Sequence, residues 1–218
     1  MRIDSVTVGP FEENCYLVMD EGSGAAALVD PGDEPDEIIA LCNRNGVTPS
    51  EVWLTHAHLD HIGGIEGVRR EWPGIPVSLH ALDLELYDLA SQAAALYGVP
   101  FEQPARPDRL LAELQTLRLG LSSFGVWHVP GHAPGHVVFV GHGALLGGDT
   151  IFAGSIGRTD LPKCDPAAFV RSLDRLMELP DATVIHPGHG PRTTIGRERA
   201  ANPFLTGAAL VPVARRDA

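Results

Sequence analysis

Short apolar runs alternate with polar, glycine-containing turns along the first quarter of the chain. Three of these runs predict strands of an antiparallel meander, over 2–8, 15–20 and 25–30. Apolar positions at helical spacing then predict a helix over 34–45, which Gly46 would end. A further apolar run predicts a strand over 51–54.

Helical and strand patterns continue to alternate through the rest of the chain. Helices are expected over 62–72, 81–97 and 166–179. Strands are expected near 76–79, 114–119, 124–129, 136–140, 143–147 and 183–185. The segment 98–111 carries three prolines and predicts a surface loop near the mouth of a site. This alternation indicates an α/β fold, in which helices cover sheets.

Length and charge narrow the class of protein. A chain of 218 residues, 44% of them hydrophobic, can bury one substantial core but is short for two domains and a linker. We therefore expect a single catalytic domain over 1–210 and a frayed tail over 211–218. The 16 basic and 28 acidic residues give a net charge of −12, which argues against nucleic acid as a partner.

The three cysteines and the N-terminus bear on the compartment. Cys15, Cys42 and Cys164 have no metal-like spacing and do not indicate a disulfide framework. The first residues lack the basic start and apolar block of a signal peptide, and no apolar run approaches the roughly 20 residues that span a bilayer. We expect a cytoplasmic protein without a membrane partner, and the pattern leaves its oligomeric state open.

Four potential metal ligands fall within six positions directly after the 51–54 strand. His56 and His58 are two residues apart and can share one face of an extended backbone, whereas Asp60 and His61 turn away. This geometry suits two adjacent metals better than one. Carboxylate oxygen and imidazole nitrogen together favour zinc, iron or manganese over calcium.

Three more candidate ligands stand in glycine-rich turns that follow predicted strands. They are His132, Asp149 and His189. Glycine lets the backbone turn sharply enough to aim one side chain inward. Loops held by a rigid sheet are also where functional residues concentrate.

The remaining histidines are interpreted differently. We expect four of them to be solvated or hydrogen-bonded surface residues: His80, His128, His142 and His186. His136 lies four residues after His132, so it could either hydrogen-bond a ligand or simply begin the next strand.

Together these motifs resemble those of the metallo-β-lactamase superfamily, and in particular its glyoxalase II-like hydrolases. The matching motifs are Thr-His-Ala-His-Leu-Asp-His at 55–61, Pro-Gly-His at 130–132, Gly-Gly-Asp-Thr at 147–150 and Pro-Gly-His-Gly at 187–190. The stretches 152–162 and 202–205 add to the match, which spans nearly the whole chain. The resemblance implies a four-layer αββα sandwich of two mixed sheets flanked by helices.

Carried over residue by residue, the resemblance implies a dinuclear site. Metal one would be held by His56, His58 and His132. Metal two would be held by Asp60, His61 and His189. Asp149 would bridge them, and a metal-bridging hydroxide would be the nucleophile, whose proton Asp60 could hold as a catalytic residue. Zinc is the first expected metal, with iron or manganese as alternatives.

The resemblance also implies a small-molecule thioester or related acyl ester as the substrate, with S-lactoylglutathione first. Arg158 matches a basic residue that helps hold glutathione in glyoxalase II, because a guanidinium can pair with a carboxylate. A structural role, in which Arg158 bonds loop carbonyls or Asp160, is the alternative. The chain also resembles a short form without the C-terminal helical domain that glyoxalase II uses for glutathione, so glutathione recognition stays open.

Two other functions stay open. Persulfide dioxygenases of the same superfamily resemble the chain through the histidine cluster and a Gly-Arg-Thr-Asp stretch, and use one iron on residues matching His56, His132 and Asp149. The other is a binding protein that keeps its metals without turnover.

Overall fold

The computed structural model describes residues 1–211, and its scaffold is a pair of six-stranded sheets. The first sheet has the strand order β1-β2-β3-β4-β5-β6, with β1 Arg2–Val8, β2 Glu13–Asp20, β3 Ala25–Val29, β4 Glu51–Trp53, β5 Val77–His80 and β6 Arg109–Leu111. The first three strands form the predicted antiparallel meander, and β3 to β6 pair in parallel. This sheet is therefore mixed.

The second sheet is also mixed and has the order β14-β13-β10-β9-β8-β7. Its strands are β7 Thr116–Leu119, β8 Ser122–His128, β9 Val137–Gly141, β10 Ala144–Gly148, β13 Val184–Pro187 and β14 Thr193–Thr194. Only β10 and β13 pair in parallel. A separate hairpin joins β11 Ile151–Phe152 to β12 Ser155–Ile156.

Strand β2 shows why the two sheets stack. Successive side chains of a strand point to opposite faces, and every residue of β2 is buried. Tyr16 and Val18 pack into the core between the sheets, whereas Leu17 and Met19 pack against the helices on the other face. Each fully buried apolar side chain contributes about 1.5–3 kcal/mol to folding. A strand that is apolar on both faces is stable only between two covering layers.

Helices complete the outer layers. They are α1 Pro35–Asn45, α2 Leu59–Ile62, α3 Ile65–Glu71, α4 Leu84–Tyr97, α5 Pro166–Leu176 and α6 Ile195–Ala201, with a 3-10 turn at Ala81–Asp83 before α4. Residues of α1, α3 and α4 pack on the outer face of the first sheet, and residues of α5 and α6 pack on that of the second. The expected four-layer αββα sandwich of the α/β class is confirmed.

Two sequence predictions change in detail. The helix expected over 62–72 begins only at Ile65, as α3, and the separate short helix α2 precedes it. Gly63 and Gly64 lie between the two helices against the loop after β3, where the Gly64 N–H donates to the Pro31 carbonyl at 2.9 Å. The loop expected over 98–111 ends in β6, which pairs with β5. The frayed tail predicted over 211–218 lies, except for Val211, outside the described residues. Within residues 1–211, no helix has the length and apolar character to cross a membrane.

Phe169 provides a test of the outer layer on the second sheet. It is fully buried, whereas its neighbour Val170 is 41% exposed. We expect Phe169→Ala to lower the free energy of unfolding by about 3–5 kcal/mol, since a cavity adds to the lost burial. Val170→Ala should change it by about 0.5 kcal/mol or less. Urea unfolding measures both, and equal losses would contradict the packing of α5 described above.

Candidate metal centre

The loops that follow four strands meet at one end of the two sheets. The 55–61 segment follows β4, which lies in the middle of the first sheet, and the other candidate ligands follow β8, β10 and β13 of the second sheet. The structure brings all seven predicted ligands together: His56, His58, Asp60, His61, His132, Asp149 and His189.

Three histidines form the first ligand group. The ligand atoms of His56, His58 and His132 all lie within 4.8 Å of one another. Nε2 of His56 is 3.1 Å from Nδ1 of His58. His132 is fixed from behind, because its Nδ1 is 2.8 Å from the Arg158 carbonyl and its Nε2 therefore faces the other two rings.

The second group contains Asp60, His61 and His189, whose ligand atoms also lie within 4.8 Å of one another. Oδ2 of Asp60 is 3.3 Å from Nε2 of His189. The carboxylate of Asp149 lies between the two groups. Its Oδ2 is 3.4 Å from Nε2 of His132, and its Oδ1 is 3.4 Å from Nε2 of His61. Asp149 therefore reaches an imidazole of each group, which is the position that a bridging ligand requires.

The donor atoms of this cluster fit divalent cations. Nε2 of His61, Nε2 of His132 and Oδ1 of Asp149 are buried without a hydrogen-bond partner among residues 1–211. Buried polar atoms normally have a partner, because an unpaired one costs about 1–3 kcal/mol. Nitrogen and carboxylate oxygen at these separations match the ligand chemistry of zinc and iron.

Protonation in the first group suits metal binding. Burial, together with the nearby His132 ring, lowers the pKa of His58 to about 3. Burial also holds the pKa of His56 well below its usual value. Both imidazoles are therefore neutral, which is the form that binds a cation.

The second group is different because it holds more negative charge. Burial opposes protonation of His61, but the carboxylates of Asp149 and Asp60 raise its pKa well above the ordinary value. A cation and a proton compete for the same lone pair on Nε2. The carboxylates that favour the proton would favour a divalent cation more strongly.

Asp30, which sequence reasoning missed, holds the histidine loop from below. Its carboxylate accepts hydrogen bonds from the Thr55 N–H at 2.7 Å and the Thr55 hydroxyl at 2.6 Å. Its Oδ2 also lies 3.0 Å from Nδ1 of His61. One buried carboxylate thus fixes both ends of the 55–61 segment. The Val-Asp-Pro-Gly pattern after β3 was a usable signal, because it matches the strand–turn contexts of the other ligands.

Two further buried residues support the ligands. The carboxylate of Asp83 accepts hydrogen bonds from the backbone N–H groups of Ala57 and Gly135, at 3.1 and 2.5 Å, and so ties the histidine loop to the turn after His132. Of the two alternatives for His136, the structure shows a hydrogen bond to a ligand. Its Nε2 accepts from the backbone N–H of Asp149 at 3.1 Å.

Glu13 was also missed. It is fully buried, its Oε1 lies 3.8 Å from Nδ1 of His61, and neither carboxylate oxygen has a hydrogen-bond partner among the described residues. Burial raises the pKa of Glu13 well above its usual value. It occupies the first position of β2, and nothing in its local sequence distinguishes it from a surface glutamate.

The surface prediction for His186 is wrong. The residue is 4% exposed, and its ring meets that of Tyr16 edge to face with centroids 5.3 Å apart. His186 lies in β13, whose side chains are covered by the neighbouring layer. His142 is exposed as predicted, and His80 and His128 are partly buried and stack with centroids 4.4 Å apart.

Two glycines permit the close approach of the ligand loops. Gly148 has φ of +47°, and a Cβ there would lie 2.5 Å from Oγ1 of Thr55. A Cβ on Gly188 would overlap Oδ1 of Asp149. A side chain at Gly148 would therefore collide with Thr55 and His136, and one at Gly188 would collide with the Asp149 carboxylate.

An open cavity of about 680 Å³ leads to the ligands, and five of them line it: His58, Asp60, His132, Asp149 and His189. Arg158 lies in its wall, as the substrate prediction requires. Its Nε and Nη2 donate to the two carboxylate oxygens of Asp160 at 2.7 and 3.0 Å, which is the structural contact considered as the alternative. This pairing leaves other guanidinium N–H groups for a ligand.

Comparison with known proteins agrees with this geometry. A family model described as the metallo-beta-lactamase superfamily matches residues 8–189. The chain is 35% identical over 210 residues to the hydroxyacylglutathione hydrolase GloC of Haemophilus influenzae, an alignment that covers 94% of this chain and 98% of that protein.

Two solved structures have the same fold and comparable length. A crystal structure of TTHA1623 in a di-iron-bound form is 45% identical, with a TM-score of 0.86, and the match covers 93% of this chain and 100% of that one. A crystal structure of BLEG-1 B3 metallo-beta-lactamase is 37% identical, with a TM-score of 0.88, and the match covers 94% of this chain and 100% of that one.

Asp30 can be tested apart from the ligands. We expect Asp30→Asn to weaken metal affinity by about 10–100-fold, because His61 and Thr55 lose the acceptor that orients them. Competition with a chromogenic chelator measures the affinity. Asp20→Asn is the matched control, since Asp20 is 5% exposed and accepts from backbone N–H groups far from the ligands. Equal affinities for the two variants would contradict the role of Asp30.

Proposed function

The chain belongs to the metallo-β-lactamase superfamily, and on that premise we propose that it is a metal-dependent hydrolase of a thioester or related acyl ester. The observation that carries this proposal is the convergence of two three-ligand groups on the single carboxylate of Asp149, at the floor of an open cavity. The name of the GloC relative supports an acyl-thiol substrate. S-lactoylglutathione is therefore the first substrate to test.

The proposal assigns each ligand group one cation. His56, His58 and His132 would hold the first, Asp60, His61 and His189 the second, and Asp149 would contact both. Bound divalent cations supply polarisation of a carbonyl and a water that ionises near neutral pH. Zinc is the first candidate, manganese is an alternative, and the di-iron form of TTHA1623 supports iron as another.

The net reaction is the addition of water across the C–S or C–O bond. The water oxygen bonds to the carbonyl carbon, the bond to sulfur or oxygen breaks, and a carboxylate and a thiol or alcohol leave with release of one proton. Asp60 is the proposed proton holder, because its carboxylate lines the cavity and its side chain is 19% exposed. Burial of that carboxylate opposes its ionisation, but the neighbouring His61 keeps the pKa of Asp60 below its ordinary value.

The substrate assignment includes Arg158. Its guanidinium lines the cavity with N–H groups to spare, and we assign it a contact with the acyl or thiol portion of the substrate. A small molecule fits the cavity volume. The net charge of −12 does not favour nucleic acid. A cytoplasmic location, with no membrane partner, is part of the same proposal.

Replacing ligands tests the metal centre. We expect Asp149→Ala and His58→Ala to abolish both metal retention and hydrolysis of S-lactoylglutathione, because each removes a donor from the cluster. His142→Ala, on an exposed histidine remote from the cavity, should retain both. Metal analysis and thiol release with a chromogenic reagent provide the measurements. Full activity in either ligand variant would refute the proposed centre.

Metal content and oxygen uptake separate the alternatives. We expect about two cations per chain, loss of hydrolysis on removal by a chelator, and recovery when zinc, iron or manganese is restored. A dioxygenase would need one iron on His56, His132 and Asp149 and would leave the second ligand group unused. One iron per chain with oxygen uptake on glutathione persulfide would favour that reaction. Full metal loading without turnover of thioesters, lactones or phosphodiesters would favour a binding protein.

A further inference from the structure

Helix α4 carries two apolar faces. Tyr87, Ala90 and Ala94 are buried against the first sheet and its neighbouring helices. A second stripe, at the helical spacing of three and four residues, lies on the side of the metal centre: Leu86, Leu89, Ala93, Leu96 and Tyr97. This second stripe, with the polar side chain of Gln92 beside it, is the α4 wall of the cavity described above.

The α4 wall is exposed to an unusual degree. Leu96 is 89% exposed, Tyr97 51% and Leu89 37%. Single exposed apolar residues are common, but a contiguous apolar surface that lines a concave site usually marks a binding surface. The wall begins at the ligands, because Ala57, His58 and Asp60 line the same cavity. A molecule at the metal centre therefore occupies the same cavity as the α4 wall.

Further apolar side chains line the cavity: Phe11, Phe152, Ile156 and Leu161. Phe11 packs edge to face on Tyr97 of the α4 wall, with ring centroids 5.5 Å apart. The ring of Phe152 meets that of His189 edge to face, with centroids 5.9 Å apart, so this apolar surface also reaches a ligand. A chain of carbon atoms in the cavity would therefore meet apolar side chains from α4 and from the β11–β12 hairpin.

The cationic groups at the cavity are already paired. Apart from the histidines, the cationic side chains that line the cavity among residues 1–211 are Arg158 and Lys163. Arg158 is bound bidentately by Asp160, and Lys163 is bound by Glu85. Each pair is electrically neutral overall. A glutathione portion, with its two carboxylates, would find no unpaired cationic side chain here, and only the N–H groups of Arg158 that Asp160 leaves unused could bind it.

We propose that the substrate presents an apolar chain to the α4 wall, next to the carbonyl that reacts, and that Leu89 and Leu96 determine this preference. The chain is an aliphatic or aromatic group of the thioester or ester, attached on its acyl side or on its thiol or alcohol side. This inference rests on the proposed hydrolase function and narrows it from acyl thioesters in general to apolar ones.

The expected dependence on chain length follows from burial. Each methylene buried from water should raise kcat/KM by up to about fourfold, until the cavity is filled. S-lactoylglutathione, with a short hydroxylated acyl group and a charged thiol, should be a poorer substrate than an octanoyl thioester.

Two substrate series on the metal-loaded enzyme test the inference. One varies the acyl group from acetyl to octanoyl on a fixed N-acetylcysteamine thiol. The other varies the alkyl thiol from ethyl to octyl on a fixed acetyl group. A rise in kcat/KM of about two- to fourfold per methylene in either series supports the inference and shows which side of the carbonyl faces α4. Flat profiles in both series, or a preference for S-lactoylglutathione over the octanoyl thioester, overturn it.

Substitution of the wall provides the second test. Leu89→Gln with Leu96→Gln should flatten the chain-length profile, because the longer chains lose the apolar surface that covers them, and the metal content should stay at that of the unaltered protein, since neither leucine is a ligand. Both positions are exposed, so folding is not at risk. Leu121→Gln is the matched control, because Leu121 is 83% exposed and lies outside the cavity. Its profile should match that of the unaltered protein.

Three further outcomes separate a failure of this inference from a failure of the proposed hydrolase function. Hydrolysis of S-lactoylglutathione with flat apolar series would leave the hydrolase proposal standing and refute the inference alone. Absence of any thioester or ester hydrolysis by the metal-loaded protein would refute both. A dimer that dissociates in the Leu89→Gln/Leu96→Gln variant, without a change in the chain-length profile, would identify the stripe as a contact between two copies and also refute the inference.

Discussion

The metal centre depends on the contacts that the buried carboxylate of Asp30 makes with the histidine loop. It accepts from the backbone and hydroxyl of Thr55, at the start of the histidine loop, and lies against Nδ1 of His61 at its end. Its own backbone is left-handed, with φ of +51°, a conformation that Asp tolerates better than most residues but that still costs free energy. The Asp30 N–H donates to the Trp53 carbonyl at 3.1 Å, and this bond together with the side-chain contacts to Thr55 and His61 offsets the strain.

The second constraint is charge. Imidazoles and carboxylates are gathered in a region from which water is largely excluded, where unpaired donors and acceptors are costly. The histidines of the first group are neutral, and carboxylates surround His61 in the second group. The electrostatic potential at the centre therefore favours a bound cation. The two rigid sheets hold this cluster in a geometry suited to cations. Apolar side chains in the same loops would contribute more to the free energy of folding.

The cavity combines this polar floor with apolar walls. The ligands and the α4 wall line one space, so the group that reacts and the group that is recognised are held by different parts of the fold. The floor comes from loops at the ends of strands, and the wall comes from a helix whose other face packs on the first sheet. The floor and α4 are nevertheless in contact, because α2, which carries Asp60 and His61, packs against α4. Changes on the exposed side of α4, at Leu89 and Leu96, are therefore the ones that can alter which molecule is bound without disturbing the floor.

The sequence by itself determined the parts that depend on neighbours along the chain. The spacing of His56, His58, Asp60 and His61, and the period of the apolar runs, are local properties, and they predicted most of the strands and helices and the candidate ligands. The resemblance carried by the motifs then implied the sandwich.

Only the tertiary structure decided what depends on residues far apart in sequence. Asp30 meets Thr55, Glu13 meets His61, and Asp83 meets Gly135, across separations of 25, 48 and 52 residues. Contacts between distant residues also explain why His186 is buried, because another layer covers β13. They explain why α2 ends at Ile62 as well, because the loop after β3 lies against Gly63 and Gly64. Periodicity reports which face of an element is apolar, but the element that covers this face, or leaves it open as on α4, is set by the packing of layers.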